Sequence, residues 1–319
     1  MKPAKVTIVG AAGGVGASLA HLLLTARDPY EIALIGRSPE SIGCLLMDAE
    51  SLAPLGRAPR VGHGTTGDFH DSDIVVIAAS VPLTAWAPRA ESTAGNAEIV
   101  HPYFREIAKI SSEWRGHVIV VTNPIDVFSQ WLRRHAQIDR TRILGYSWND
   151  SLRLRVATAR VLGATAASTT AWVVGEHGDA FVPLFGRIRV NGRRVHLSAP
   201  QRQSVLTSLR GFYAEWSRLD VPRTTAWTTA EGVARMIRDL TRGPSREAHR
   251  VSGGPVGWTA SMALEGEYGL RDVSVGVPVA MDAEGALSAV EWELEETEAA
   301  ALRQAAALVR ERVAGLGGL

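Results

Sequence analysis

Apolar residues recur along this chain with two different periods. Lys5–Val9 is a short β-rich run, and beyond it Val15, Leu19, Leu22 and Leu23 return at the three- and four-residue spacing of one helix face. Glu31–Ile35, Asp73–Ala79 and His117–Val121 are short apolar runs of the kind expected for strands buried on both faces. Strand, helix and strand in alternation predict a doubly wound parallel sheet. Past about Leu144 the pattern changes. A long helix over Asp150–Leu162 is followed by a strand over Thr169–Val174, a hairpin around Asn191-Gly192 and further helix. The last helix, Leu294–Val313, carries Glu295, Glu296 and Glu298 at its start and Arg303, Arg310 and Arg312 toward its end, which suits the helix dipole. The expected class is α/β, with one domain over residues 1–143 and a second, α+β domain over 144–319. No internal repeat or low-complexity tract interrupts this plan.

Composition narrows the partners. The 319 residues are 46% apolar and 21% charged, an ordinary globular balance. A formal charge of +1 supplies no field for nucleic acid or an anionic membrane, so a small molecule is the expected partner. Basic residues are almost all arginine, with Lys2, Lys5 and Lys109 the only lysines, and a single arginine is correspondingly weak as a functional signal. Cys44 is the one cysteine, which rules out an internal disulfide and a thiolate metal site and fits a reducing cytoplasm. The start of the chain has no signal-peptide pattern and no apolar run approaches membrane-spanning length, so a soluble, cytoplasmic protein is expected. His21, His63, His70, His101, His117, His135, His196 and His249 have no metal-ligand spacing, and no metal is expected.

Gly10-Ala-Ala-Gly13-Gly14-Val15-Gly16 lies between the first strand and the first helix, where backbone amides at the helix N-terminus can hold a pyrophosphate. The spacing is GxxGxxG, and strand-before, helix-after is the context a dinucleotide requires. In an NAD site an acidic side chain at the end of the second strand, about 20 residues on, accepts from the adenosine ribose. Here the chain reads Gly36-Arg37-Ser38. Without a carboxylate to repel a 2′-phosphate, and with Arg37 and Ser38 able to bind one, NADP(H) is the preferred cofactor and NAD(H) a possible one. The alternative for Arg37 is an ordinary solvated arginine.

Gly175-Glu-His177-Gly-Asp179 follows a strand and places an imidazole in a glycine-flanked turn. Asp150-Ser-Leu-Arg153 opens a helix with a carboxylate and a guanidinium at i, i+3, on one face. Val121-Thr-Asn123-Pro-Ile-Asp ends a parallel strand, where open α/β sheets bind ligands. Together with the glycine loop, Asn149-Asp150-Ser-Leu-Arg153, Trp172-Val-Val-Gly-Glu-His177-Gly-Asp and Gly269-Leu-Arg-Asp-Val-Ser-Val-Gly-Val-Pro278, these motifs resemble the lactate/malate dehydrogenase family in order and spacing over essentially the whole chain.

That resemblance implies a Rossmann NADP-binding domain followed by a catalytic domain, and a reversible reduction of a 2-oxo acid to a 2-hydroxy acid. It implies His177 as proton donor and acceptor, Asp150 as its orienting carboxylate, Arg153 as the two-pronged grip on the substrate carboxylate and Asn123 as a hydrogen-bonding residue for substrate oxygen or cofactor. Val81-Pro-Leu83-Thr-Ala-Trp86-Ala-Pro-Arg89 matches the family's closing loop, with Arg89 in the place of the arginine that polarises the carbonyl. Asn96 matches a cofactor-contacting asparagine. Val121 falls in the same cofactor-binding set. A homodimer or homotetramer is implied, with Ile42–Leu52 a candidate interface.

Two positions depart from the pattern. Leu83 stands where similar malate dehydrogenases carry an arginine for the second carboxylate and lactate dehydrogenases usually a glutamine. An apolar side chain cannot compensate a desolvated carboxylate. Arg223, in Leu219-Asp-Val-Pro-Arg223-Thr-Thr-Ala-Trp227, aligns with the family segment at the back of the pocket, where a small hydroxylated residue is common. It either faces an anionic substituent, as in phosphonopyruvate, or points to solvent. Trp86 and Trp227 can narrow the site, stack on a larger substrate or serve packing. The function expected is thus a 2-oxo-acid reductase of altered specificity. Malate or lactate dehydrogenase proper is the near alternative, and a non-catalytic NADP(H) sensor the alternative of a different class.

Overall fold

The structure is a computed structural model, and it describes residues 2–56, 60–82, 89–219, 221, 223–243, 256–282 and 285–316. β1 (Ala4–Val9) leads through the glycine loop into α1 (Gly14–Leu24), and β2 (Tyr30–Ile35), α2 (Pro39–Glu50) and β3 (Arg60–His63) follow. β4 (Ile74–Ile77), α3 (Arg89–Ala108), β5 (His117–Val120), α4 (Ile125–His135) and β6 (Ile143–Gly145) complete the parallel part. Its strand order is β3-β2-β1-β4-β5-β6, every neighbour pair parallel. The order reverses between β1 and β4, and the crevice at that point is where such sheets bind ligands.

Helices cover both faces because every central strand buries both. In β4, Ile74 and Val76 join one apolar cluster while Val75 and Ile77 join another, and in β1 Val6 and Ile8 are divided from Val9 in the same way. The alternation is the two-residue period of a strand, and each such side chain contributes about 1.5–3 kcal/mol on burial.

The sheet continues beyond β6. After α5 (Trp148–Leu162) come β7 (Thr169–Thr170), β8 (Val173–Gly175), β9 (Phe181–Pro183), β10 (Arg189–Val190), β11 (Arg193–Arg194), α6 (Ala199–Arg218), α7 (Ala226–Arg242), β12 (Val256–Glu265), β13 (Arg271–Met281), β14 (Leu287–Ala289) and α8 (Glu296–Gly315). β12 pairs antiparallel with β6 at Ser261↔Gly145, and β12-β13-β8-β9 carry the sheet on in antiparallel pairing.

The Thr169–Val174 run, expected as one strand, is two. β7 joins β10 and β11 in a small separate sheet, while β8 joins the main one. Between them Ala171 and Trp172 are buried, and the Trp172 ring meets Trp292 edge-on at 5.4 Å, so the chain turns around an indole instead of running straight. The hairpin expected at Asn191-Gly192 is present, with both residues at positive φ (51° and 75°), as a two-residue turn with a right-handed strand twist requires. The long β12–β13 hairpin supplies strand where sequence pattern marked only a motif. No helix among the described residues is long and apolar enough to cross a membrane.

Candidate active site

The glycine loop closes because its glycines have no side chains. Gly10 turns at φ +84°, and a Cβ there would come within 2.5 Å of the Ala79 nitrogen. A Cβ on Gly16 would meet Gly10 O and come within 2.7 Å of Ala11 Cα. Gly13, in extended conformation, caps α1, so the first-turn amides of Gly14, Val15 and Gly16 are available to an anion. The loop is tied to the second strand, because Gly10 and Ala11 donate N–H to Ile35 O at 2.8 and 3.0 Å.

Immediately after Ile35, Gly36 faces α2 closely enough that a Cβ would come within 2.7 Å of Ile42 Cδ1 and 2.9 Å of Ser41 Oγ. An acidic side chain at this position would have to displace Ile42. Arg37 is exposed, and Ser38 caps α2 by accepting from Ser41 N–H at 3.3 Å. This cradle fits a dinucleotide: Gly10, Gly13, Gly14, Val15 and Gly16 would hold the pyrophosphate, and Arg37 with Ser38 would lie toward the adenosine ribose.

Opposite the cradle, at the carboxyl ends of β5 and β6, the chemistry-bearing residues converge. Val121 directly follows β5 at its carboxyl end, donating N–H to Ile77 O at 2.8 Å. Asn123 beyond it is exposed, and its carbonyl accepts from Asn96 Nδ2 at 2.8 Å. Asn96 Oδ1 accepts from Val81 N–H at 2.8 Å, so this buried amide ties the start of the 81–89 segment to the end of β5. Leu83 and Trp86 lie outside the described residues. Arg89 begins α3, but the placement of its side chain is likewise outside them.

β6 runs through Tyr146 into α5, whose first turn presents Asp150. Asp150 Oδ2 lies 2.6 Å from His177 Nδ1, and Oδ1 accepts from Arg153 Nη1 at 3.2 Å. One carboxylate therefore orients both a base and a guanidinium. A carboxylate only accepts, so Nδ1 carries the shared hydrogen and Nε2 is left for proton exchange. The His177 side chain is 7% exposed. Burial works against its charged form, but the charge of Asp150, the hydrogen bond to it and the charge of Asp126 outweigh burial and the opposing Arg153, so the imidazole pKa is raised above its ordinary 6.5.

The turn that carries His177 is pinned from three sides. His177 N–H donates to Asp126 Oδ2 at 2.6 Å, Ala180 N–H to Glu176 Oε2 at 3.0 Å and Arg312 Nη1 to Glu176 Oε1 at 2.7 Å. Asp126 stands in the Val121–Asp126 motif and Glu176 beside His177. Arg312, on the last helix, has no sequence signal that points to this turn.

The other side of Arg153 is formed by α6 and the start of α7. Its guanidinium lies over the Phe212 ring at 4.5 Å, and Nη2 donates to Thr225 Oγ1 at 3.4 Å. Phe212 stacks on Trp216, whose Nε1 donates to Arg223 O at 2.9 Å. The residue in contact with Arg153 is thus Thr225, and the Arg223 side chain is exposed. Of the two orientations expected for Arg223, the exposed one is that of this structure, and Thr225, two residues on, is the hydroxylated residue that meets Arg153.

Thr225 O accepts from Thr229 Oγ1, which in turn accepts from Asn149 Nδ2, so α5 and α7 are locked together beside the site. The same segment borders the cradle, since a Cβ on Gly14 would lie 3.6 Å from Ala226 Cβ. Trp227 is 83% exposed, so it is not a core residue of this chain.

Comparison with known proteins accords with this geometry. The family model described as lactate/malate dehydrogenase, NAD binding domain, matches residues 4–145. Malate dehydrogenase of Halobacterium salinarum is 32% identical over 317 residues, covering 95% of this chain and 96% of that protein. The L-2-hydroxycarboxylate dehydrogenase (NAD(P)(+)) of Methanocaldococcus jannaschii is 29% identical over 321 residues, covering 96% and 97%. The structure of the malate dehydrogenase from Aeropyrum pernix superimposes with a TM-score of 0.84 at 24% identity, covering 97% of each chain, a likeness of fold.

Proposed function

The chain belongs to the lactate/malate dehydrogenase family, and we propose from its site that it reduces a 2-oxo acid to the 2-hydroxy acid, reversibly, with NADPH preferred over NADH. The observation that carries this reading is the divided carboxylate of Asp150, one oxygen on His177 and the other toward Arg153.

When bound, the reduced nicotinamide supplies a hydride to the carbonyl carbon of the substrate. Arg153 holds the 1-carboxylate with its two-pronged grip, fixing which carbon faces the hydride. His177, as imidazolium, gives its Nε2 proton to the carbonyl oxygen as negative charge develops there. Asp150 stabilises the imidazolium before transfer and keeps the ring in the right tautomer after it. In the reverse direction neutral His177 takes the hydroxyl proton. Arg89 is proposed to polarise the carbonyl and Asn123 to hydrogen-bond substrate oxygen or cofactor.

Because reduction needs the charged imidazole and its pKa is raised, kcat/KM for reduction should hold past pH 6.5 and then fall as pH rises through the raised value. Oxidation of the 2-hydroxy acid should rise through the same pH range. Initial-rate profiles in both directions check this, and a reductive limb centred below 6.5 would contradict it.

The finer reading is a substrate with a neutral substituent. Leu83 cannot compensate a second carboxylate, and the Phe212–Trp216 stack beside Arg153 offers apolar surface. A second reading, a substrate with an anionic third carbon such as phosphonopyruvate, draws on Arg223, two residues from Thr225. Rates with pyruvate, longer and aromatic 2-oxo acids, oxaloacetate, phosphonopyruvate and sulfopyruvate should favour apolar substrates over oxaloacetate by about tenfold or more in kcat/KM, roughly 1.4 kcal/mol. Preference for phosphonopyruvate would select the second reading, and turnover of none of these acids the NADP(H) sensor. Arg37→Asp should reverse the NADPH:NADH preference in the same assay.

A further inference from the structure

We propose that Asp126 is a positioning residue for His177, holding its main-chain N–H and acting as a second carboxylate whose charge is felt by the imidazole. The inference rests on the reading of His177 as the proton donor and acceptor. Asp126 lies in the first turn of α4, is 1% exposed, and accepts the His177 N–H at 2.6 Å. His177 is therefore gripped by two carboxylates from two helices, Asp150 on the ring and Asp126 on the backbone.

The surroundings make the charge of Asp126 easy to change. Facing it are His177 and Glu176 from the turn between β8 and β9 and the Ser261 hydroxyl from β12. Arg312 of α8 is committed to Glu176, and Asp150 and Arg153 of α5 bear on the imidazole. The Asp272–Arg134 pair lies about two turns further along α4. Complete burial pushes the Asp126 carboxyl up to about 7, with the Ser261 hydroxyl and the His177 amide opposing and Glu176 adding to the rise. Two neighbouring groups whose charges sense one another lose their protons as a coupled pair. Protonation of Asp126 removes one of the charges that keeps His177 protonated, so toward acid pH the imidazole holds its proton less tightly than it does when both Asp126 and Asp150 are charged.

Glu176 cannot take this part. Its oxygens are used by Ala180 N–H and Arg312, which fix the turn without touching His177. Asp126 alone joins α4 directly to the reacting residue's backbone.

Protein labelled with ¹³C- and ¹⁵N-histidine allows a test that does not depend on turnover. In the wild-type chain the His177 imidazole titration should be broader than a one-proton curve, and the His177 amide proton should move upfield as pH falls through about 7. In Asp126→Asn, which keeps an acceptor but no charge, the titration should collapse to a single step and shift down by about half a pH unit or more, carrying the alkaline limb of reduction with it. NADPH affinity should stay within about twofold.

Asp126→Ala, which loses the acceptor as well, should lower kcat further than Asp126→Asn. A one-proton wild-type curve with a stationary amide proton would overturn the proposal even if the variants failed to fold. An unchanged His177 titration in a folded Asp126→Asn protein would overturn it equally. Failure to reduce any 2-oxo acid would instead count against the proposed function, and the titration would still decide the coupling.

Discussion

Replacing His177 with asparagine is expected to lower kcat by about 10²–10⁴-fold, the range that positioned general acid–base groups contribute, while NADPH binding is retained. Asparagine can still hydrogen-bond Asp150 but has no proton to give at neutral pH. The side chain is buried against Asp150 at 2.6 Å, so water has little room to replace it as the donor. The glycine cradle is built from Gly10 to Gly16 and makes no use of His177, which is why cofactor affinity should be spared. Steady-state rates with the best 2-oxo acid, alongside NADPH fluorescence titration, measure both. Retention of more than about a tenth of wild-type kcat would remove His177 from the reaction.

Arg153→Gln is expected to cost about 2–5 kcal/mol of substrate and transition-state binding, the usual consequence of removing one partner of a buried charged pair. At roughly 1.4 kcal/mol per factor of ten that is about 30-fold to several thousandfold in kcat/KM. Much of the loss should appear in KM, since on the proposed reading the guanidinium would hold the unreacting carboxylate in ground state and transition state alike. A smaller change should appear in pH dependence. Arg153 opposes the protonation of His177, so its removal should move the reductive alkaline limb upward. Arg153→Lys keeps the charge but loses the two-pronged geometry and should recover only part of kcat/KM. An upward-shifted limb with unchanged KM would separate an electrostatic role from substrate binding.

The parts of this site that are legible in the sequence are those whose chemistry acts over a few residues. A glycine at φ +84° between strand and helix has a local cause, and so does a carboxylate three residues from a guanidinium at the start of a helix. The alternation of strands and helices in the first half is legible because buried strands read as continuous apolar runs.

Contacts between distant segments are not legible in this way. Arg312 reaches Glu176 across 136 residues, and no pattern on either segment announces the other. Whether Arg223 or Thr225 meets Arg153 is a register question in a stretch without helical or strand period, and the sequence leaves Arg223 open between pocket and solvent. The division of Thr169–Val174 between two sheets depends on Trp172 finding Trp292, again a contact across the fold. The β12–β13 hairpin pairs chiefly within itself, and only its single-residue bridges to β6 and β8, which seat it in the main sheet, are contacts across the fold.

Thr225 and Ala226 are consecutive residues, one against the guanidinium of Arg153 and the other against Gly14 of the dinucleotide cradle. A rigid peptide unit joins them, so on the proposed reading the substrate side and the cofactor side of the site would share a mechanical element only one residue long. Displacement of either residue is transmitted to the other, and thermodynamic reciprocity makes the effect of cofactor on substrate affinity equal to that of substrate on cofactor affinity. On the proposed reading, coupling between the two ligands, whichever arrives first, would run through that single peptide.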